Sequence, residues 1–164
     1  MDRACATFHR LTDGAGRDEL RRRSDGTRWT NRQLLFHMLL GFLILPALLM
    51  LIQVFSRFPD RVSRRFAWLL DAGTVPFDAV NFAGSWLAGS ILPRRWMTGL
   101  FDRTIRASHR RLDRETAEDL ARGMHYPTRW DPFFRDYMTT ADLYRFGVQH
   151  FDFHHEQLTL SPTR

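Results

Sequence analysis

From Leu34 to Ile52 the chain reads LLFHMLLGFLILPALLMLI, 19 residues without a formal charge unless His37 is protonated. A helix that is apolar on every side has to be enclosed, either by other helices or by lipid. Thr30 stands three residues before Gln33 and just ahead of this run, the pattern of a capping box, so a helix is expected to start there. Pro46 lacks an N–H and crowds the carbonyl four residues earlier, which predicts a kink. The run is long enough to span a bilayer, and arginines lie on both sides of it. Three features oppose a span. His37 would sit in or near hydrocarbon, Gly41 and Pro46 interrupt the run, and no second stretch of similar quality follows. The expectation is a buried bundle helix that does not cross the membrane. Peripheral membrane contact stays open for 34–52 and for 71–92, where Phe77, Val80, Phe82, Trp86 and Leu87 stand among small residues.

Elsewhere, stripes of period 3.6 recur and period-2 alternation is nearly absent, which predicts an all-α bundle. Core helices are expected near 31–55, 94–121 and 139–158, with an interrupted helical segment at 60–92. Pro93 suits the first position of the helix that follows it. Residues 1–28 are polar and broken by Gly14, Gly16 and Gly26, so they read as an irregular N-terminal segment with a weak first helix. The bundle domain proper is expected over 29–164. Gly123 ends a helix, and 124–138, MHYPTRWDPFFRDYM, reads as a long loop. A loop of that length is functional or disordered, and its aromatic content argues against disorder. Tyr126, Trp130, Phe133 and Phe134 are therefore candidates for a substrate-covering loop.

The 24 basic residues, all Arg, exceed the 18 acidic ones, giving a net charge of +6. A chain without Lys points to a GC-rich genome. Acids interleave with arginines through 102–122 and no nucleic-acid-reading motif accompanies the charge, so no nucleic-acid partner is expected. Cys5 is the one cysteine, which excludes an internal disulfide. The first 28 residues lack the apolar centre of a signal peptide, and a cytoplasmic location is expected, with membrane association open. The oligomeric state is left open, a homodimer included. Glycine-rich phosphate loops and nucleophilic-serine motifs are absent.

The chemistry is concentrated in Thr139 to Leu158. As a helix, this stretch lines up Leu143, Phe146, Gly147, His150, His154 and Leu158, with Arg145, Gln149, Asp152 and Glu156 opposite. Two imidazoles one turn apart on an apolar stripe can converge on one point, as nitrogen ligands of a metal do. Packing against the early apolar helix could bring His37 to the same point. Three imidazoles with an open fourth position fit a catalytic rather than a structural zinc site. The alternative is three core histidines, each hydrogen-bonded to a carbonyl or hydroxyl. His155 faces about 100° away from His154 and is left out. His9 and His109 read as partly exposed helix histidines.

Residues 29–37, WTNRQLLFH, together with 150–157, HFDFHHEQ, resemble the DinB-like family of metal-binding four-helix bundles. The shared pattern is a Trp-led helix start with a His eight residues on, then a late His-x-x-x-His followed by Gln. Trp29 and His37 match the first part, and His150, His154 and Gln157 match the second. The resemblance implies one divalent metal on His37, His150 and His154, zinc first, with nickel or manganese as alternatives. Gln157 is expected as an outer hydrogen-bonding partner. The resemblance also implies a thiol-dependent S-transferase or isomerase. A low-molecular-weight thiol, mycothiol in GC-rich Gram-positive bacteria, would be co-substrate, and the other partner a small electrophile. A non-catalytic protein on the same scaffold, membrane-associated or ligand-binding, is the competing reading. Ligand histidines have to be neutral, so metal loading is expected to fall below about pH 6.5.

Overall fold

In the computed structural model, which describes residues 1–161, the chain folds as α1 (Asp2–Gly14), α2 (Arg17–Arg21), α3 (Asn31–Leu43), α4 (Leu45–Phe55), α5 (Asp60–Ala72), α6 (Thr74–Ile91), α7 (Arg94–Leu112), α8 (Ala117–Ala121), β1 (Gly123–His125), β2 (Tyr137–Thr139) and α9 (Thr140–His155). The apolar run lies at the centre. Thr30 caps α3 by accepting from the Gln33 N–H, and the Gln33 side chain accepts from the Thr30 N–H in return. The helix bends at Ile44, where α3 ends and α4 begins with Pro46 in its first turn. The kink expected at Pro46 is found as a bend two residues earlier, at Ile44, which relieves the pressure of Pro46 on the Phe42 carbonyl.

Four helices, α1, α3, α7 and α9, share one core, built on Ala4 and Phe8, Leu35, Met38, Leu39 and Phe42, Met97, Phe101 and Ile105, and Phe151. Ala4 and Phe8 are fully buried, so α1 is an integral bundle helix rather than the weak segment its glycines suggest. Those glycines lie past its packed turns. A second core joins α4 to the start of α9 through Leu45, Leu49, Tyr126, Met138, Leu143 and Phe146. α6 lies along α3, and Gly89 makes this possible, since a Cβ there would stand 2.6 Å from the Gln33 Cα.

By length and composition Asn31–Phe55 could cross a bilayer, with a mean hydropathy of 2.5 in its most apolar window. It is instead the central helix pair, packed by α6, α7 and α9. The apolar surface of 34–52 goes largely into the core. Within it Pro46, Ala47 and Met50 stay exposed.

Three further boundaries differ from expectation. Segment 74–91 is one continuous helix, because Pro76 falls in its first turn, where no N–H is needed. The helix expected to reach residue 121 stops at Leu112, and Thr116 caps the separate α8 by accepting from the Asp119 N–H. The presumed loop is closed at its base by an antiparallel pair with Met124 opposite Met138 and His125 opposite Tyr137. At Gly123 a Cβ would meet the Met138 carbonyl at 2.6 Å.

Candidate metal centre

α3 supplies His37 and α9 supplies His150 and His154. Their candidate ligand atoms all lie within 4.8 Å of one another. Ring centroids are 4.9 Å apart for His37 and His150, 4.6 Å for His37 and His154, and 4.5 Å for His150 and His154. His150 reaches this position because α3 carries glycine opposite it. A Cβ on Gly41 would stand 2.4 Å from the His150 Cδ2. Gly41, read from sequence as an interruption, is the space the imidazole occupies.

Each ring is held through Nδ1. The Nδ1 of His37 lies 3.2 Å from the Ser85 Oγ, that of His150 lies 2.8 Å from Asp131 Oδ2, and that of His154 lies 2.6 Å from the Gln157 Oε1. Donation from Nδ1 to carboxylate and amide oxygens fixes the tautomer in which Nε2 carries the lone pair. Trp29 stacks on His37 with centroids 4.4 Å apart. The other oxygen of Asp131, Oδ1, accepts from the Phe133 N–H at 2.9 Å, so this carboxylate ties the loop to the His150 ring. Sequence reasoning passed over Asp131 and Ser85, since neither stands in a motif with the histidines. Asp131-Pro132 inside an aromatic loop was the one available signal.

Burial, with His150 and His154 beside it, holds the His37 imidazole down at about 2. Burial and His150 lower His154 to about 4. Both rings therefore stay neutral well below the 6.5 expected from free histidine.

Three observations test whether a divalent ion fits here. The Nε2 of His150 is buried and has no hydrogen-bond partner among the described residues. Such an orphan costs stability unless something accepts its lone pair. Tetrahedral zinc with bonds of about 2.0–2.1 Å sets its nitrogen ligands about 3.4 Å apart, a separation that ligand atoms within 4.8 Å of one another reach by closing in on the ion. Three imidazoles backed by one part-buried carboxylate suit zinc or nickel better than an oxygen-seeking ion such as manganese. The residues fit a metal.

A second group, Cys5, His9 and Asp102, has ligand atoms equally close. Here Asp102 Oδ1 already takes both neighbours, His9 Nε2 at 2.7 Å and Cys5 Sγ at 3.2 Å, so no orphan remains. His109 pairs with Asp2, His125 lies near Asp136 in the hairpin, and His155 is exposed.

The triad forms the floor of a cavity of about 610 Å³ with largely apolar walls. Trp130 and Phe134 line it, and Trp130 stacks on Phe77 of α6 at 3.8 Å while its Nε1 donates to the Leu70 carbonyl. Tyr126 and Phe133, expected beside them, are not in the lining. The Tyr126 hydroxyl donates to the Leu48 carbonyl at 2.6 Å in the second core, where an apolar ring needs a partner for its O–H. Phe133 turns to Phe153 instead. A smaller cleft of about 380 Å³ shares Trp29, Asn81 and His154 with the cavity and adds Arg28, Thr27, Asp78 and Gln157.

A family model described as the DinB superfamily matches residues 1–158. The chain belongs to the DinB superfamily. Its match begins at the first residue, in keeping with α1 as a bundle helix, and the fold and the histidine cluster agree with membership. No curated protein and no solved structure gives a significant match.

Proposed function

We propose that this DinB-superfamily protein is a divalent-metal-dependent S-transferase that joins a low-molecular-weight thiol, of the mycothiol type, to a small apolar electrophile. The observation that carries this reading is the convergence of three oriented imidazoles on the floor of an apolar cavity whose lining offers no nucleophile of its own. Cys5 is on α1, the lining contains no Lys, and Asp131 is engaged with His150. The attacking group therefore has to come with a co-substrate.

His37, His150 and His154 would hold the ion, zinc by preference. When bound, it supplies Lewis acidity that keeps a thiol ionised at neutral pH. The protein's part is orientation and exclusion. Asp131 fixes the His150 ring, Trp29 backs His37, and Gln157 fixes His154. The apolar walls remove water from the electrophile, and the Phe77–Trp130 stack closes one side. The two cavities divide the substrates by chemistry. Thr27, Arg28, Asp78 and Asn81 in the smaller cleft suit the hydroxyl- and amide-rich polar body of such a thiol, with His154 at the junction.

The test is conjugate formation, followed by mass spectrometry, from a low-molecular-weight thiol and an activated alkyl or aryl electrophile with zinc-loaded protein. Catalysis above the rate with free zinc, abolished by His154→Ala, is expected. Stoichiometric zinc binding without any acceleration would make the protein a metal-binding scaffold and end the transferase reading.

A further inference from the structure

Between Asp71 and Arg94 the chain carries a single charge, Asp78. Nearly all of that stretch is α6, an 18-residue helix about 27 Å long, and it lies on the outside of the bundle. One of its faces meets α3 through Ser85 and Gly89. The opposite face presents Val75, Val80, Trp86, Leu87 and Ile91 to solvent, with Val80 72 % exposed. Scattered apolar residues are ordinary on a protein surface, but a whole helix face without a charge is not. The chain on either side of α6 adds exposed Trp68 and Leu69 at the end of α5 and Trp96 at the start of α7.

Two features decide what covers this face. Arg57, Arg61, Arg65 and Arg95, which flank it along the chain, are exposed and make no ion pair among the described residues. Unpaired guanidinium groups on the segments that precede and follow an apolar helix match anionic headgroups above acyl chains. Exposed Trp68, Trp86 and Trp96 are the residue type that settles at the boundary between the two. A second copy of the chain carries the same net charge of +6, which opposes pairing through a surface rich in unpaired arginine.

We propose that the outer face of α6 seats the protein on an anionic lipid bilayer, with the helix lying in the plane of the headgroup boundary. Val80 and Gly84 belong both to this exposed face and to the cavity lining, so the cavity opens at its edge. Docking delivers an apolar ligand to the triad without a passage through water. The docking itself does not depend on the metal or on the proposed reaction.

The test is co-sedimentation of the full-length protein with phosphatidylcholine vesicles, with and without added phosphatidylglycerol. Binding is expected to rise at least tenfold with the anionic lipid and to fall as salt is raised. Trp86→Ser with Leu87→Ser should cut binding at least tenfold while leaving zinc stoichiometry and circular dichroism unchanged, because both side chains point away from the core. Arg61→Gln with Arg65→Gln should remove most of the preference for the anionic lipid. An environment-sensitive fluorophore on Ala83→Cys, in a Cys5→Ser background, should shift to the blue on these vesicles, and the same label on Arg110→Cys of α7 should not. Absence of binding to either vesicle would overturn the proposal. So would unchanged binding by the Trp86/Leu87 variant, or a soluble dimer that this variant dissociates. None of these results bears on metal binding, and loss of metal in a His154 variant does not bear on docking.

Discussion

Gly41→Ala separates helix propensity from the needs of the metal site. In the interior of α3, alanine would ordinarily stabilise the helix by about 1 kcal/mol over glycine. Here its Cβ would lie 2.4 Å from the Cδ2 and 3.0 Å from the Nε2 of His150. Carbon atoms rest at about 3.5–4.0 Å, so the ring has to withdraw by about 1 Å. It cannot do so freely, since Asp131 holds its Nδ1 at 2.8 Å and two further imidazoles stand within 4.9 Å of its centre. Overpacking costs about 1–3 kcal/mol, and a weakened hydrogen bond to a part-buried carboxylate a further 1.5–3 kcal/mol or so. Set against the propensity gain, a net loss of about 1.5–5 kcal/mol is expected, or about 3–20 °C in Tm for a chain of this size. A displaced ligand ring should also weaken zinc binding about 10–100-fold. Gly84→Ala is the control, because nothing lies within 4 Å of a Cβ there. It should gain up to about 1 kcal/mol and leave zinc affinity alone. Thermal melts of metal-free protein and competition titrations with a zinc chelator read both quantities. If Gly41→Ala melts and binds zinc like Gly84→Ala, the packing argument for the position of His150 is wrong.

Other outcomes follow from the same geometry. His154→Ala should lose nearly all bound zinc while keeping its far-ultraviolet circular dichroism, since packing carries the helices. His155→Ala, altering an exposed ring one residue away, should keep its zinc, and equal loss in both variants would break the assignment. Asp131→Asn should lower zinc affinity about 10–100-fold by loosening the His150 ring, and an unchanged dissociation constant would remove Asp131 from the site. Burial, aided by the bond to Asp102, pushes the Cys5 thiol up to about 11. Only the thiolate is alkylated, so reaction with iodoacetamide should be slow at pH 8, rise about tenfold per pH unit and speed up in Asp102→Asn. A rate that levels off near pH 8.5 would contradict this.

The helical class could be read from sequence because it rests on patterns that repeat over many residues. Thr30 and Gln33 announce α3 through a reciprocal side-chain bond that forms locally, whatever surrounds it. Burial of the central run follows from its lack of charge, given His37 and Pro46 within it. Most of what the sequence left unread is decided by a partner distant in sequence. Gly14 and Gly16 made α1 look weak, but it is held by Phe8 against Phe101, a contact between rings 4.7 Å apart from residues distant in sequence. The β1–β2 pair joins two three-residue segments, too short to show alternation, and its cue at Gly123 serves equally as a helix stop. Gly84 and Gly89 suggested fragments in a helix whose packing on α3 requires the second of them.

The candidate site divides along the same line. His150 and His154 share a helix, so their spacing alone aligns them, and His37 is found opposite them because α3 and α9 pack side by side. The residues that orient the rings carry no such spacing. Ser85 approaches His37 from α6, Asp131 approaches His150 from the loop, and Gln157 meets His154 just past the end of α9. Of these, Gln157 alone lies within a turn of its histidine, and it alone was proposed from sequence. The aromatic loop divides as well. Trp130 and Phe134 reach the cavity, whereas Tyr126, only four residues from Trp130, is drawn to the Leu48 carbonyl. Asp131 explains where the division falls. One carboxylate takes the Phe133 N–H and the His150 ring, so the turn that shapes the cavity wall and the position of the central ligand are set by the same side chain. A change at Asp131 should therefore move wall and ligand together, coupling what the cavity accepts to what the triad holds.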